Sequence, residues 1–277
     1  MTTLNGTPKQ GLAGATLGFF VGFAAVALFG PMAHKLQTDM GLSPVMLGFA
    51  VAAPLLSGSL LRIPFSAWVD TTGGRKPFLA LLSLSTLGMA GLLLLFKSTA
   101  SGNLVAGSYP LLLALGVLCG CGIATFSVGI GQVSYWFPQA EQGFALGTYA
   151  GLGNMAPGIF SFLLPMALAA WGLSGAYWAW LIFLLLGTLA YAFISRDAPY
   201  FQLRRHGVRD LEARRIAREH GQQIFPKGAA REGLVLAARR WRTWALVSLY
   251  LATFGGFLAL TAWLPAYWSL YYHLTPE

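Results

Sequence analysis

The chain has 277 residues, of which 56% are hydrophobic and only 10% charged, and it carries a net charge of +9. A soluble domain has about 45–50% apolar and about 25% charged residues, so this composition cannot cover a folded surface with polar groups. Disorder requires low hydrophobicity, and the 34 glycines follow no Gly-x-y period that would make a collagen; an integral membrane protein remains.

A transmembrane helix needs ~20 apolar residues to cross ~30 Å of hydrocarbon. Seven runs qualify: Leu12–Ala33, Leu42–Val69, Pro77–Phe96, Tyr109–Phe137, Gly143–Trp171, Gly175–Ser195 and Thr243–Tyr272. The runs are continuous rather than alternating, which excludes barrel strands. The first follows 11 polar residues and is too long for a signal-peptide core, so it reads as a retained span.

The second span contains Arg62 near its middle, with Gly58 and Ser66 one helical turn either side and no acid close by. A mid-membrane arginine costs about 2.5–3.5 kcal/mol even on the lenient insertion scale, so an anion, water or freed carbonyls must offset it. Pro64 lacks an amide hydrogen and leaves the Leu60 carbonyl without its helical donor. One reading has Arg62 snorkelling to a structural partner. The other makes it a cationic site for a small anion, since guanidinium presents parallel donors to trigonal or carboxylate oxygens.

Between the second and third spans stands Asp70-Thr-Thr-Gly73-Gly74-Arg75-Lys76, a tight glycine turn with basic residues and a flanking acid. The fourth span holds the two cysteines, Cys119 and Cys121, which point to nearly opposite sides of a helix and read as small buried hydrophobes. The fifth carries Gly143, Gly147 and Gly151 at four-residue spacing, with Gly153 and Gly158 adjoining, a small-residue face suited to close helix contact. Asn154 follows within it; a mid-span amide must find a partner, either another helix or a substrate path.

The sixth span leads into a 47-residue loop, 196–242, holding 12 of the 18 basic residues and five acids. Within it 208–220 reads as a short amphipathic helix with Asp210 and Arg214 at i,i+4, lying solvated on lipid headgroups. A basic segment between apolar blocks suits the anionic inner membrane face better than nucleic acid, so no nucleic-acid partner is expected. With the N-terminus inside, 15 basic residues fall on the inner side and only Lys35 and Lys97 on the outer. The expected orientation in the cytoplasmic membrane is therefore N-terminus in, with the tail of this chain, His273–Glu277, outside.

Apart from Asp70 at a span end, no acid falls within a span, and HExxH and Walker-type sequences are missing. Protease, ATPase and other enzyme chemistry have no anchor, and no metal or cofactor is implied. Six close spans, a long basic loop and one further span divide the chain into 1–195, a six-helix bundle; 196–242, a cytoplasmic loop; and 243–277, the first helix of a second, truncated bundle.

The Asp70–Arg75 turn resembles the loop motif of the major facilitator superfamily, in an Asp-x-x-Gly-Gly-Arg variant with one extra residue. Leu-Ser-Gly-Ser-Leu-Leu-Arg62-Ile-Pro-Phe, the stretch from Phe126 through Ser-Tyr-Trp-Phe-Pro138 to Gly143…Gly151-Leu-Gly153-Asn154-Met, and Tyr250-Leu-Ala-Thr-Phe-Gly255 resemble signature regions of its nitrate/nitrite porters. One departure is Ala156-Pro157-Gly158, where those porters are expected to have Gly directly after Asn-Met. The resemblance implies an all-α, major-facilitator-type membrane bundle with seven transmembrane helices present, working by alternating access. It implies that Arg62 binds nitrate or nitrite, that Phe126 and Tyr250 line the site, and that Asn154 forms or positions it. Gly147, Gly151, Gly153 and Gly158 would be the packing signature, and Asp70, Gly73, Gly74 and Arg75 the conformational loop. It also implies about twelve helices and a second substrate arginine in the helix after span seven, so a separate C-terminal half chain becomes a candidate partner. Proton symport and anion exchange both remain open, as do another small-anion or metabolite facilitator and a non-transporting membrane sensor or assembly subunit.

Overall fold

The computed structural model describes residues 4–98, 106–226 and 235–272; the expected outward tail, His273–Glu277, lies outside them. The described residues are almost entirely helical. The first span, Pro8–Met32, starts at a reciprocal cap: the Gln10 amide donates to Thr7 Oγ1 at 3.3 Å and the Thr7 amide to Gln10 Oε1 at 3.1 Å. Pro8 occupies the first helical position, where its missing amide costs nothing. This span is the most buried of the bundle and packs against the fourth, fifth and sixth.

The second span, Pro44–Thr72, consists of two helices, Pro44–Leu60 and Arg62–Thr72, with a break at Leu61. The break falls where Pro64 fails to supply a donor to the Leu60 carbonyl. Third and fourth spans run Arg75–Lys97 and Tyr109–Trp136, the fourth tightening into a 3-10 turn at Cys121–Ala124.

Six continuous apolar helical segments are long enough to cross a membrane among the described residues, one fewer than the sequence runs. The fifth, Gln139–Ile194, is 56 residues, or ~84 Å at 1.5 Å per residue, nearly three times the hydrocarbon thickness. Its two halves fold against each other. Phe160 packs on Trp180 at 4.9 Å and on Phe183 at 5.0 Å between ring centroids, whereas twenty residues of straight helix would hold them ~30 Å apart. The reversal is at Gly172, with φ +66° and ψ 179°, a backbone state that side chains disfavour. This segment is therefore the expected fifth and sixth spans, and with Trp241–Thr261 the described residues present seven apolar spans in an all-α, multi-pass membrane bundle.

Within the described residues, most glycines of the fifth-span pattern face no neighbour. Gly143, Gly147, Gly151 and Gly158 are exposed, and nothing lies within 4 Å of where a Cβ would stand. Of the expected packing signature, only Gly153 is covered, by the Phe19 ring. The tight crossings involve other glycines. A Cβ on Gly22 would sit 2.6 Å from the Gly122 carbonyl oxygen, and one on Gly122 the same distance from that of Gly22. A Cβ on Gly120 would overlap the Pro54 carbonyl oxygen and Ser57 Oγ. The first, second and fourth spans approach backbone to backbone there, which is how helices associate where lipid supplies no hydrophobic drive.

The start of the basic loop is docked rather than solvated. Helix Pro199–Arg205 buries Tyr200, Phe201 and Leu203, and the Phe201 ring meets Tyr135 of the fourth span at 4.9 Å. The second loop helix, Asp210–Glu219, forms the expected Asp210–Arg214 pair at 2.8 Å. The Tyr200 hydroxyl also donates to Asp210 at 2.5 Å, and these bonds from Tyr200 and Arg214 hold the Asp210 carboxyl below its usual range.

Candidate functional site

The second span places Arg62 at the start of its second helix, immediately after the break. Its guanidinium carbon stands 5.0 Å over the Phe126 ring and 5.4 Å over the Phe254 ring. The two rings face each other at 5.6 Å with 19° between planes, and Tyr250 continues the stack on Phe254 at 4.8 Å and 13°. Phe19 and Phe23 of the first span close the cluster, meeting Phe126 at 5.2 Å and Phe254 at 6.1 Å.

This geometry supplies an offset that differs from the anion, water or carbonyls expected from sequence. A desolvated cation over an aromatic face gains about 0.5–2 kcal/mol, so two faces balance much of the ~2.5–3.5 kcal/mol burial cost. The rings satisfy the charge but not the hydrogen-bonding capacity. Arg62 Nε and Nη2 are buried without a partner, and among the described residues no carboxylate pairs with the guanidinium. Two parallel donors of this kind have the geometry to fork onto two oxygens of one planar anion.

Of the four residues expected to bind substrate, the structure brings Arg62, Phe126 and Tyr250 together. Asn154 donates from Nδ2 to the Ala150 carbonyl of its own helix at 2.8 Å, and its buried Oδ1 has no partner among the described groups. No described contact joins it to Arg62. Phe254 was not singled out by the sequence reading, although it stands four residues after Tyr250. A π-turn over Leu251–Gly255 carries it; such turns re-aim side chains by one residue and recur at functional sites.

The loop motif forms a second polar centre. Asp70 accepts from the Tyr135 hydroxyl at 2.6 Å. Gly73, at φ +83°, lies against Asp197, where a side chain would collide with the carboxylate. The Arg75 amide donates to Asp197 Oδ1 at 2.9 Å, and Arg75 Nη2 donates to the Ala192 carbonyl at 2.7 Å. Arg205 pairs with Asp197 and donates to the Thr72 carbonyl at 2.9 Å. Gly74 abuts Gln132, which donates to Ser195 Oγ at 2.7 Å. Asp197, missed by the sequence reading because it stands at a span end beside Arg196, thus ties the motif to the end of the sixth span.

Burial raises the Asp197 carboxyl above its ordinary range, and Arg205 opposes that only in part. A raised folded pKa means that folding is favoured by protonation: this contribution is full below the unfolded pKa and lost as pH rises through the folded one. Asp197→Asn, which keeps an acceptor for the Arg75 amide and removes the desolvated charge, is expected to unfold near the wild-type temperature at neutral pH. Asp197→Ala strands that amide and should cost about 1–3 kcal/mol. Thermal unfolding in detergent measures both; equal losses would show that the charge, not the acceptor, holds the turn.

The described residues thus form a multi-pass helical bundle with an arginine inside its apolar thickness whose Nε and Nη2 are buried and unpaired. A model described as Major Facilitator Superfamily matches residues 15–276. The chain belongs to that superfamily. It is 31% identical over 263 residues to the probable nitrate/nitrite antiporter NarK1 of Thermus thermophilus, covering 92% of this chain and 52% of that one. It is 31% identical over 253 residues to the probable nitrate/nitrite transporter NarK2 of Mycobacterium tuberculosis, covering 91% and 56%. It is 27% identical over 259 residues to the nitrate/nitrite transporter NarU of Salmonella typhimurium, covering 87% and 49%. The chain therefore spans about half the length of these relatives.

Proposed function

We propose that these residues form the N-terminal portion of a secondary transporter that carries nitrate or nitrite across the cytoplasmic membrane by alternating access. The observation that carries the reading is Arg62, whose Nε and Nη2 are buried and unpaired beside the stacked Phe126 and Phe254 rings. The relatives' names support the choice of anion. In this reading 1–195 is one bundle, 196–242 a cytoplasmic loop and 243–277 the first helix of a second bundle. Arg62, Phe126, Phe254 and Tyr250 contact the anion, Asn154 turns its free carbonyl oxygen toward the path, and a second cation comes from a C-terminal half. Protons enter as a coupling ion only if that half supplies a titratable group, since the described spans offer no carboxylate beyond Asp70 and Glu141, both near span ends.

Binding and transport separate the parts of this proposal. The 277-residue chain is expected to bind nitrate in preference to sulfate yet to give no saturable isotope counterflow in proteoliposomes; adding a matching C-terminal half should produce flux. Absence of nitrate binding sinks the anion assignment, and robust flux from the chain alone sinks the half-site argument. The basic-residue asymmetry supports an inner N-terminus. Cysteines replacing Lys97 and Arg214 should label from outside and from inside, respectively; the reverse pattern would invert the topology.

A further inference from the structure

Phe126 stands under Arg62, but nothing in its own helix explains why it stays there. It is the second residue of helix Thr125–Trp136, just after the 3-10 turn Cys121–Ala124, where the backbone changes pitch. The restraint comes from the fifth span. Tyr149 is fully buried, and its hydroxyl reaches the Phe126 carbonyl at 2.9 Å and the Thr125 carbonyl at 3.1 Å. Its ring stacks on Phe19 at 5.0 Å and 29°, and Phe19 in turn packs on Phe126. Gly129, one turn beyond Thr125, makes the approach possible, because any side chain there would overlap the Tyr149 phenol. Gly153 makes the matching space for Phe19. A phenol, two glycines and a phenyl ring thus converge on one backbone segment from three spans.

We infer that Tyr149 is a positioning residue of the anion site: it touches no anion, but its hydroxyl pins the Phe126 backbone and so holds the ring against the Arg62 guanidinium. The consequence for binding rests on the nitrate/nitrite reading above; the consequence for the position of Phe126 does not. The hydroxyl hydrogen is shared between two carbonyls that already belong to a helix, so its loss leaves the fold intact and frees the start of the helix to shift. Phe126 then spends part of its time away from Arg62, and the guanidinium loses one of its two aromatic walls.

The test replaces Phe126 by 4-fluorophenylalanine in the full chain and reads its fluorine resonance, with a second label at Phe160 as a remote reporter. Arg62→Gln establishes that the Phe126 signal senses the guanidinium. Tyr149→Phe is expected to shift or broaden the Phe126 resonance, leave that of Phe160 in place and leave the unfolding temperature close to wild type. Nitrate affinity should fall about 3- to 10-fold, the equivalent of one neutral hydrogen bond, and this fall should vanish in a Phe126→Leu background. Gly129→Ala, which displaces the same phenol by a different route, should reproduce the Phe126 shift if Tyr149→Phe folds poorly. An unchanged Phe126 resonance in Tyr149→Phe overturns the inference, as does an equal disturbance at Phe160. A Phe126 shift in a chain whose wild type ignores nitrate upholds the positioning role and removes the nitrate reading instead.

Discussion

Arg62→Lys is expected to lose most nitrate binding although the charge is retained. The guanidinium offers two free parallel donors, Nε and Nη2, and its carbon lies 5.0 Å from the Phe126 ring centroid and 5.4 Å from that of Phe254. Lysine presents a compact ammonium on a flexible stem and cannot fork onto two oxygens. Losing one charge-assisted hydrogen bond costs about 1.5–3 kcal/mol, or roughly 10- to 150-fold in affinity. An ammonium is also more strongly hydrated than a guanidinium, so a buried aromatic site favours it less. A purely structural arginine behaves differently, because either cation can snorkel to water or phosphate. The measurement is nitrate affinity of both proteins at equal expression and equal thermal stability. Near-wild-type affinity in the lysine variant would move Arg62 out of the substrate site.

Gly120→Ala is expected to be strongly destabilising, while Gly147→Ala and Gly151→Ala are nearly silent in this chain. The added carbon at 120 overlaps the Pro54 carbonyl oxygen and Ser57 Oγ. Ser57 cannot step aside cheaply, since its hydroxyl bonds the Pro54 carbonyl at 3.1 Å and the Val117 carbonyl at 2.9 Å, joining the second and fourth spans. Overpacking costs typically 1–3 kcal/mol when side chains can move; here backbone must move, so the top of that range is expected. At 147 and 151 the methyl meets open space, and a change within about 0.5 kcal/mol is expected. Thermal unfolding of the three variants in detergent decides it. A large loss at 147 or 151 would mean that the exposed face of the fifth span is covered by another part of the assembly.

That contrast shows what was legible. Glycine spacing in the fifth span displays a small-residue face, and the face exists, but spacing does not say what stands opposite it. Backbone-to-backbone approaches use Gly22, Gly120 and Gly122, which form no regular stripe, because a crossing needs one small residue on each helix rather than a run along either. Phe254 and Tyr149 were invisible for the same reason. Aromatic residues abound in the spans, and only the rotation of each helix about its axis selects those that meet Arg62. Asp197 read as one acid within a basic loop, whereas the fold folds that acid under Gly73.

By itself the sequence determined the membrane class, the seven apolar runs, the interruption beside Pro64, the reversal between Trp171 and Gly175, and the anomaly of Arg62. Each of these is a local cost: hydrocarbon charges every residue separately for its polarity, and proline or glycine alters the backbone where it stands. Only the tertiary structure decided which rings wall the guanidinium, which glycines let helices touch, and how the loop motif is anchored. Those outcomes depend on helix rotation and depth, which are set by many weak contacts between residues far apart in the chain, and no single residue's preference reveals their sum.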